Sequence, residues 1–160
     1  IMGKQTKINW KALFISITIS LGTGIVSSIL TGRAMREYQN LYQPPLAPPG
    51  WLFPVVWTIL YILMGVAAYL VWETGGTEVR NALTLYLVQL LLNALWPVFF
   101  FRFHAYFLAF AEQLLLWLAI YLTIKQFKEI NRAAALLMLP YLAWVTFAAY
   151  LNLAIALHTP

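Results

Sequence analysis

The 160-residue chain has no cysteine, and charged residues make up only 9% of it. The missing thiols exclude a disulfide-stapled scaffold, thiolate metal sites and thiol chemistry. Soluble domains carry about 25% charged and about 45–50% apolar residues, whereas the hydrophobic share here is 62%. That balance excludes a disordered chain and a DNA-binding domain. A net charge of +5 is by itself compatible with nucleic-acid binding. The basic residues, however, cluster near the ends of apolar runs, where they act as membrane topology signals, and no nucleic-acid partner is expected. There is no Ser/His/Asp set, metal-ligand spacing or phosphate-binding loop, so no catalytic residue and no metal site is expected. His104, beside Arg102, and His158 both lie away from the middle of any apolar run, so neither suits an axial haem position.

What the chain has in abundance is long apolar segments. Five runs, roughly 8–30, 51–72, 82–101, 105–124 and 133–157, contain only Lys11 and Glu112 among all the charged residues. Each reaches the ~20 residues needed to cross a bilayer core of about 30 Å as a helix. Period-2 alternation is absent, so spanning strands are excluded. The expected fold is therefore an all-α integral membrane protein, with five transmembrane helices in one bundle and one domain over 1–160. The first run is too long for the apolar core of a signal peptide, and Leu30-Thr31-Gly32-Arg33 offers no small-x-small cleavage site. With five spans, Lys4, Lys7, Lys11, Arg80, Lys125, Lys128 and Arg132 fall on one side, against Arg33, Arg36 and Arg102 on the other. This bias puts the N-terminus in the cytoplasm and the C-terminus outside.

Three connections are short, as between antiparallel neighbours. The exception is 31–50, a stretch with two Pro-Pro pairs and with Tyr38, Leu41, Tyr42 and Leu46. Loops this long in compact domains are functional or disordered, and a semi-rigid apolar loop beside a bundle reads as a lid. No internal repeat is visible, which counts against an inverted-repeat transporter.

Within the spans, Trp57, Tyr61 and Gly65 share a helix face. So do Gln89, Asn93, Trp96 and Phe100, and Tyr141, Trp144, Ala148 and Asn152. Amides in hydrocarbon face a protein interior or a cavity, so these faces point inward. They suit either a packed bundle with interhelical hydrogen bonds or an aromatic-walled cavity with a few polar groups. Helix one carries Ser16, Ser20, Gly24, Ser28 and Gly32 at spacing four. Such a stripe permits close helix approach, within the bundle as the first expectation and in a dimer as the second. Glu112 reads as a neutral, hydrogen-bonded carboxyl rather than as part of a proton relay. Trp10, Trp51 and Trp72 sit at span ends as interface anchors.

The run Leu41-Tyr42-Gln43-Pro44-Pro45-Leu46-Ala47-Pro48-Pro49-Gly50-Trp51-Leu52-Phe53, followed by Val56-Trp57-Thr58-Ile59-Leu60-Tyr61 and Met64-Gly65, closely resembles the signature of the TspO/MBR family. Gln89, Asn93, Trp96 and Phe99-Phe100 extend the likeness, as do Pro140-Tyr141, Trp144, Phe147-Ala148 and Tyr150-Leu151-Asn152. The resemblance covers nearly the whole chain. It implies a five-helix bundle, often a homodimer, in a bacterial cell membrane, with a pocket beneath the first loop. The implied ligand is a porphyrin such as protoporphyrin IX or another flat apolar small molecule, bound by a receptor or carrier, with no cofactor required. Carried over by position, the ligand site comprises Tyr38, Leu41 and Pro44 of the lid, Phe53, Trp57 and Tyr61 of helix two, Gln89, Asn93 and Trp96 of helix three, and Trp144 and Ala148 of helix five. Two departures stand out. Glu37-Tyr38 replaces the family's Trp-Tyr, and Gln43-Pro44-Pro45-Leu46 replaces Lys-Pro-x-Trp. Both remove lid tryptophans, which counts against the light-dependent porphyrin breakdown credited to some members. A sterol/lipid-binding transporter or scaffold is the remaining alternative. The sterol pattern is absent, because no Lys or Arg follows Tyr150 within five residues.

Overall fold

A computed structural model of the chain describes residues 7–32 and 34–159. Lys4 and Arg33, both counted in the charge bias, lie outside the described residues. The long helices are α1 (Trp10–Thr31), α3 (Leu52–Thr74), α4 (Val79–Pro97), α5 (Tyr106–Ile130) and α6 (Arg132–His158), with a short α2 (Ala34–Gln39) in the first connection. The five long helices are each long and apolar enough to cross a membrane, and they form the expected all-α bundle.

Local chemistry sets the helix ends. Asn9 caps α1 by accepting a hydrogen bond from the Ala12 amide at 3.1 Å, and Asn131 does the same for Ala134 at 3.2 Å. Gly32 and Gly75 close α1 and α3 with φ of +67° and +74°, a conformation glycine adopts without steric cost. Three boundaries differ from expectation. The fourth span does not end at 124. It continues to Ile130, because Lys125, Lys128 and Glu129 are compatible with helix while Phe127 remains fully buried on the inner face. The turn to α6 is then Asn131 alone, whose amide donates to Thr74 Oγ1 at 3.0 Å. In α4, Pro97 lacks an amide proton, and the next turn widens into a π-helical segment, Val98–Arg102. The segment 31–50 is not loop throughout, since α2 occupies its first half.

The small-residue face of α1 packs inside the bundle, against α3. Ser16 Oγ donates to the Gly65 carbonyl at 2.7 Å, and Ser20 Oγ to the Tyr61 carbonyl at 2.6 Å. A Cβ on Gly65 would lie 2.6 Å from Ile17 Cα, and one on Gly24 would lie 2.5 Å from the Tyr61 ring. Further along, α1 leans on α4 instead. Ser27 Oγ donates to the Ala94 carbonyl at 3.2 Å, and Arg102 donates to the Leu30 carbonyl at 3.0 Å.

One half of the bundle is solid. Met64, Val71, Ile120, Phe127, Met138 and Tyr141 are fully buried there. The outer surface is just as apolar, with Phe14, Ile29, Leu91 and Leu115 all exposed, as expected where lipid is the solvent.

Gly65→Val should destabilise the bundle by about 1–3 kcal/mol, because the obstruction is the Ile17 backbone. Gly22→Ala, with nothing within 4 Å of the added carbon, should be neutral or stabilising. Thermal unfolding in detergent compares them, and equal melting temperatures would show that α1 and α3 are not locked at Gly65.

Candidate functional site

The other half of the bundle encloses a cavity of about 740 Å³. Trp57, Tyr61 and Phe53 of α3 form one wall, with Asn93, Trp96, Pro97 and Phe100 of α4 and its π-turn opposite. Trp144, Ala148 and Asn152 come from α6, Gln113 and Leu116 from α5, and Gly24 and Ser28 from α1, while Arg36 and Tyr38 of the lid close the top. The wall also includes Ile25 (61% exposed) and Ile29 (74% exposed) of α1, and the exposed Pro54 and Thr58 of α3. The cavity is therefore open on its side, between α1 and α3, where α1 has turned toward α4.

Aromatic contacts run around the wall. Tyr38 meets Phe53 edge-on at 4.9 Å between centroids, Phe53 meets Trp144 at 5.7 Å, and Trp57 lies 5.5 Å from Tyr61. Across the cavity, Trp96 stacks on Phe100 at 4.8 Å. The two rings are four residues apart, so they are neighbours on one helix face, and the pair straddles the start of the π-turn.

A buried hydrogen-bond chain makes the floor. Tyr61 donates to Asn93 Oδ1 at 2.5 Å, Asn93 Nδ2 donates to the Tyr141 hydroxyl at 2.8 Å, and that hydroxyl donates to Gln89 Oε1 at 2.6 Å. It joins α3, α4 and α6. Higher up, Trp96 Nε1 donates to Asn152 Oδ1 at 2.9 Å, and Asn152 Nδ2 donates to the Tyr106 carbonyl at 2.9 Å. These amides are thus occupied in holding helices together. Two buried wall atoms have no partner, Trp144 Nε1 and Gln113 Oε1, and a ligand that satisfied them would recover part of their desolvation cost.

Two hydrogen bonds tie the lid to itself and two contacts tie it to the bundle. Tyr38 donates to the Pro48 carbonyl at 2.7 Å, and burial raises its hydroxyl pKa above the ordinary value, which preserves the donor. Gln43 Nε2 donates to the Tyr38 carbonyl at 2.9 Å. Tyr150 of α6 donates to the Pro45 carbonyl at 2.7 Å, and His104 Nε2 lies 2.8 Å from Glu37 Oε2.

Tyr38, Phe53, Trp57, Tyr61, Asn93, Trp96, Trp144 and Ala148 therefore come together on one cavity wall. Three expected residues stand off it. Gln89 is fully buried behind Tyr141, so it orients the tyrosine and does not face the cavity. Leu41 packs onto the Phe100 cluster. Pro44 is buried inside the lid, where it supports the roof without lining the cavity. Conversely, Phe100 and Asn152 lie on faces legible as inward but belong to the wall as well. Gln113 and the α1 residues were not expected there. The polar Gln113 inside an apolar run, and the small-residue stripe of α1, were the available signals. Glu112 is buried with neither carboxyl oxygen hydrogen-bonded. The hydrogen-bonded state expected for it is absent: its neighbour Gln113 does not bond it and has an unpartnered amide oxygen of its own.

The pattern of the TspO/MBR family matches residues 14–158. The chain belongs to that family. It is 40% identical over 151 residues to the tryptophan-rich protein TspO of Chlorobaculum tepidum, covering 92% of this chain and 96% of that one. It is 35% identical to the tryptophan-rich sensory protein of Cereibacter sphaeroides, covering 91% and 89%. The human translocator protein is 36% identical, covering 88% and 85%. Within this TspO/MBR chain the two lid departures have distinct fates. Glu37 is engaged by His104, while Leu46 is 82% exposed with φ of +72° and lines nothing.

Tyr141→Phe would leave Gln89 Oε1 and Asn93 Nδ2 unpaired. The expected loss is about 1–2 kcal/mol, read as an earlier unfolding midpoint in mixed detergent micelles. An unchanged midpoint would show that the floor network does not hold the helices.

Proposed function

We propose that the protein is a membrane receptor or carrier for porphyrins, with protoporphyrin IX as the reference ligand. The observation that carries this reading is a single cavity of about 740 Å³ walled by Trp57, Trp96 and Trp144. Its volume falls within the ~300–1,000 Å³ of small-molecule sites, and flat rings favour flat ligands. Aromatic pairs contribute about 0.5–1.5 kcal/mol each beyond area burial, so several rings account for useful affinity without a charged core. Relatives named as sensory and translocator proteins fit a protein that holds a ligand within the membrane and reports or moves it. The reading includes a homodimer in a bacterial cell membrane, N-terminus cytoplasmic and lid outside. Reporter fusions at each terminus test the orientation, and an active periplasmic reporter at the N-terminus would reverse it.

Titration of purified protein with protoporphyrin IX, followed by tryptophan quenching, tests the site. Saturable quenching above that of empty micelles is expected. Trp57→Ala and Trp144→Ala should each weaken binding about tenfold, a loss of about 1.4 kcal/mol, whereas exposed Trp51→Ala should not. Equal binding by all three variants would reject the site. Illumination separates receptor from degrading enzyme. A stable porphyrin spectrum is expected, since Glu37 and Leu46 stand where the family pattern has tryptophan, and bleaching to a defined product would favour the enzyme.

A further inference from the structure

The basic side chains near the lid have different employments. Arg102 donates to the Leu30 carbonyl at 3.0 Å and so serves the C-terminal end of α1. His104 is committed to Glu37 at 2.8 Å. Glu37 is the one acidic residue in the segment 31–50, so this pairing consumes the only acid the lid has. Arg36 precedes it on α2, and consecutive helical residues point about 100° apart. As Glu37 turns to His104, Arg36 comes to lie on the cavity wall beside Tyr38, Thr31 and Gly32. Among the described residues, Arg36 is the one charged side chain on that wall, and no acid is paired with it. The cavity thus has a polarity along its length, with an exposed guanidinium at the lid, an aromatic body, and neutral amides below, where Asn93 is engaged by Tyr61 and Tyr141 and Asn152 by Trp96.

We infer that Arg36 selects ligands that carry an acidic group on an otherwise apolar, flat body. This rests on the porphyrin reading of the cavity and names the part of the ligand that the lid reads. A guanidinium presents a planar fork of donors that matches a carboxylate with two parallel hydrogen bonds. At the half-solvated mouth the pair retains only part of its strength, which suits a ligand that must also leave. The acidic group sits at the lid while the rings lie between Trp57, Trp96 and Trp144. Glu37 takes part indirectly: its carboxylate is turned to His104 and is not paired with the arginine.

The test compares protoporphyrin IX, with two propionates, and its dimethyl ester, on wild type and Arg36→Gln, by tryptophan quenching in non-ionic detergent. Using the ratio of ratios removes the two ligands' different partitioning into micelles. Arg36→Gln should weaken the diacid about five- to tenfold, the scale of a charge-assisted hydrogen bond, and leave the ester unchanged. Arg36→Lys should retain only part of the preference, because an ammonium keeps the charge and loses the fork. Raising the salt should weaken the diacid in wild type but not in Arg36→Gln. Equal weakening of both ligands, or a salt response that survives Arg36→Gln, would overturn the assignment while leaving the porphyrin site intact. Binding of neither ligand above empty micelles would overturn the porphyrin reading and this inference with it.

Discussion

The chain of hydrogen bonds from Tyr61 through Asn93 and Tyr141 to Gln89 is the constraint on which the rest of the structure depends. In a bilayer no hydrophobic driving force pulls one apolar helix toward another, so polar contacts and close packing must define which helices meet and at what height. These four side chains join α3, α4 and α6 at one level. On one side of that level Met64, Val71, Phe127 and Met138 are fully buried in one apolar cluster. On the other side the same three helices carry Trp57, Trp96 and Trp144, and the bundle opens into the cavity. The network is the boundary between a part that provides stability and a part that provides space.

Two backbone features make the space usable. Close contact between α1 and α3 at Gly65 and Gly24 ends where α1 turns to Ala94 and Arg102, which leaves a side opening at Ile25, Ile29, Pro54 and Thr58. The missing proline amide in α4 is followed by a π-turn, a common device at functional positions, and that turn carries Phe100 and Phe101 on the cavity wall beside Trp96. Neither feature depends on the lid. The lid is braced internally by Tyr38 and Gln43 and fastened to the bundle by Tyr150 and the Glu37–His104 contact, so the cavity is roofed by proline-rich backbone.

Much of this was legible in the residues themselves. The five spans followed from length and charge placement, because bilayer thickness sets helix length. The inward faces of α3, α4 and α6 followed from amides and tryptophans at helical spacing, because unpaired amides are costly in hydrocarbon. The helix ends were less legible: Lys125 and Lys128 looked like a loop, although charge ends a membrane-buried stretch without ending a helix.

The sequence by itself determined the class, the spans, the family likeness and most of one aromatic wall. Only the tertiary structure decided that Gln89 stands behind Tyr141, that Leu41 and Pro44 support the roof without lining it, and that Gln113, Ser28 and Arg36 reach the cavity. The reason lies in the solvent. Helices that are apolar all round carry no amphipathic stripe to show which side faces a neighbour. The rotation of α1 and α5, and the direction of each lid side chain, emerge only when backbone contacts such as Gly65 against Ile17 and the Glu37–His104 pairing fix them.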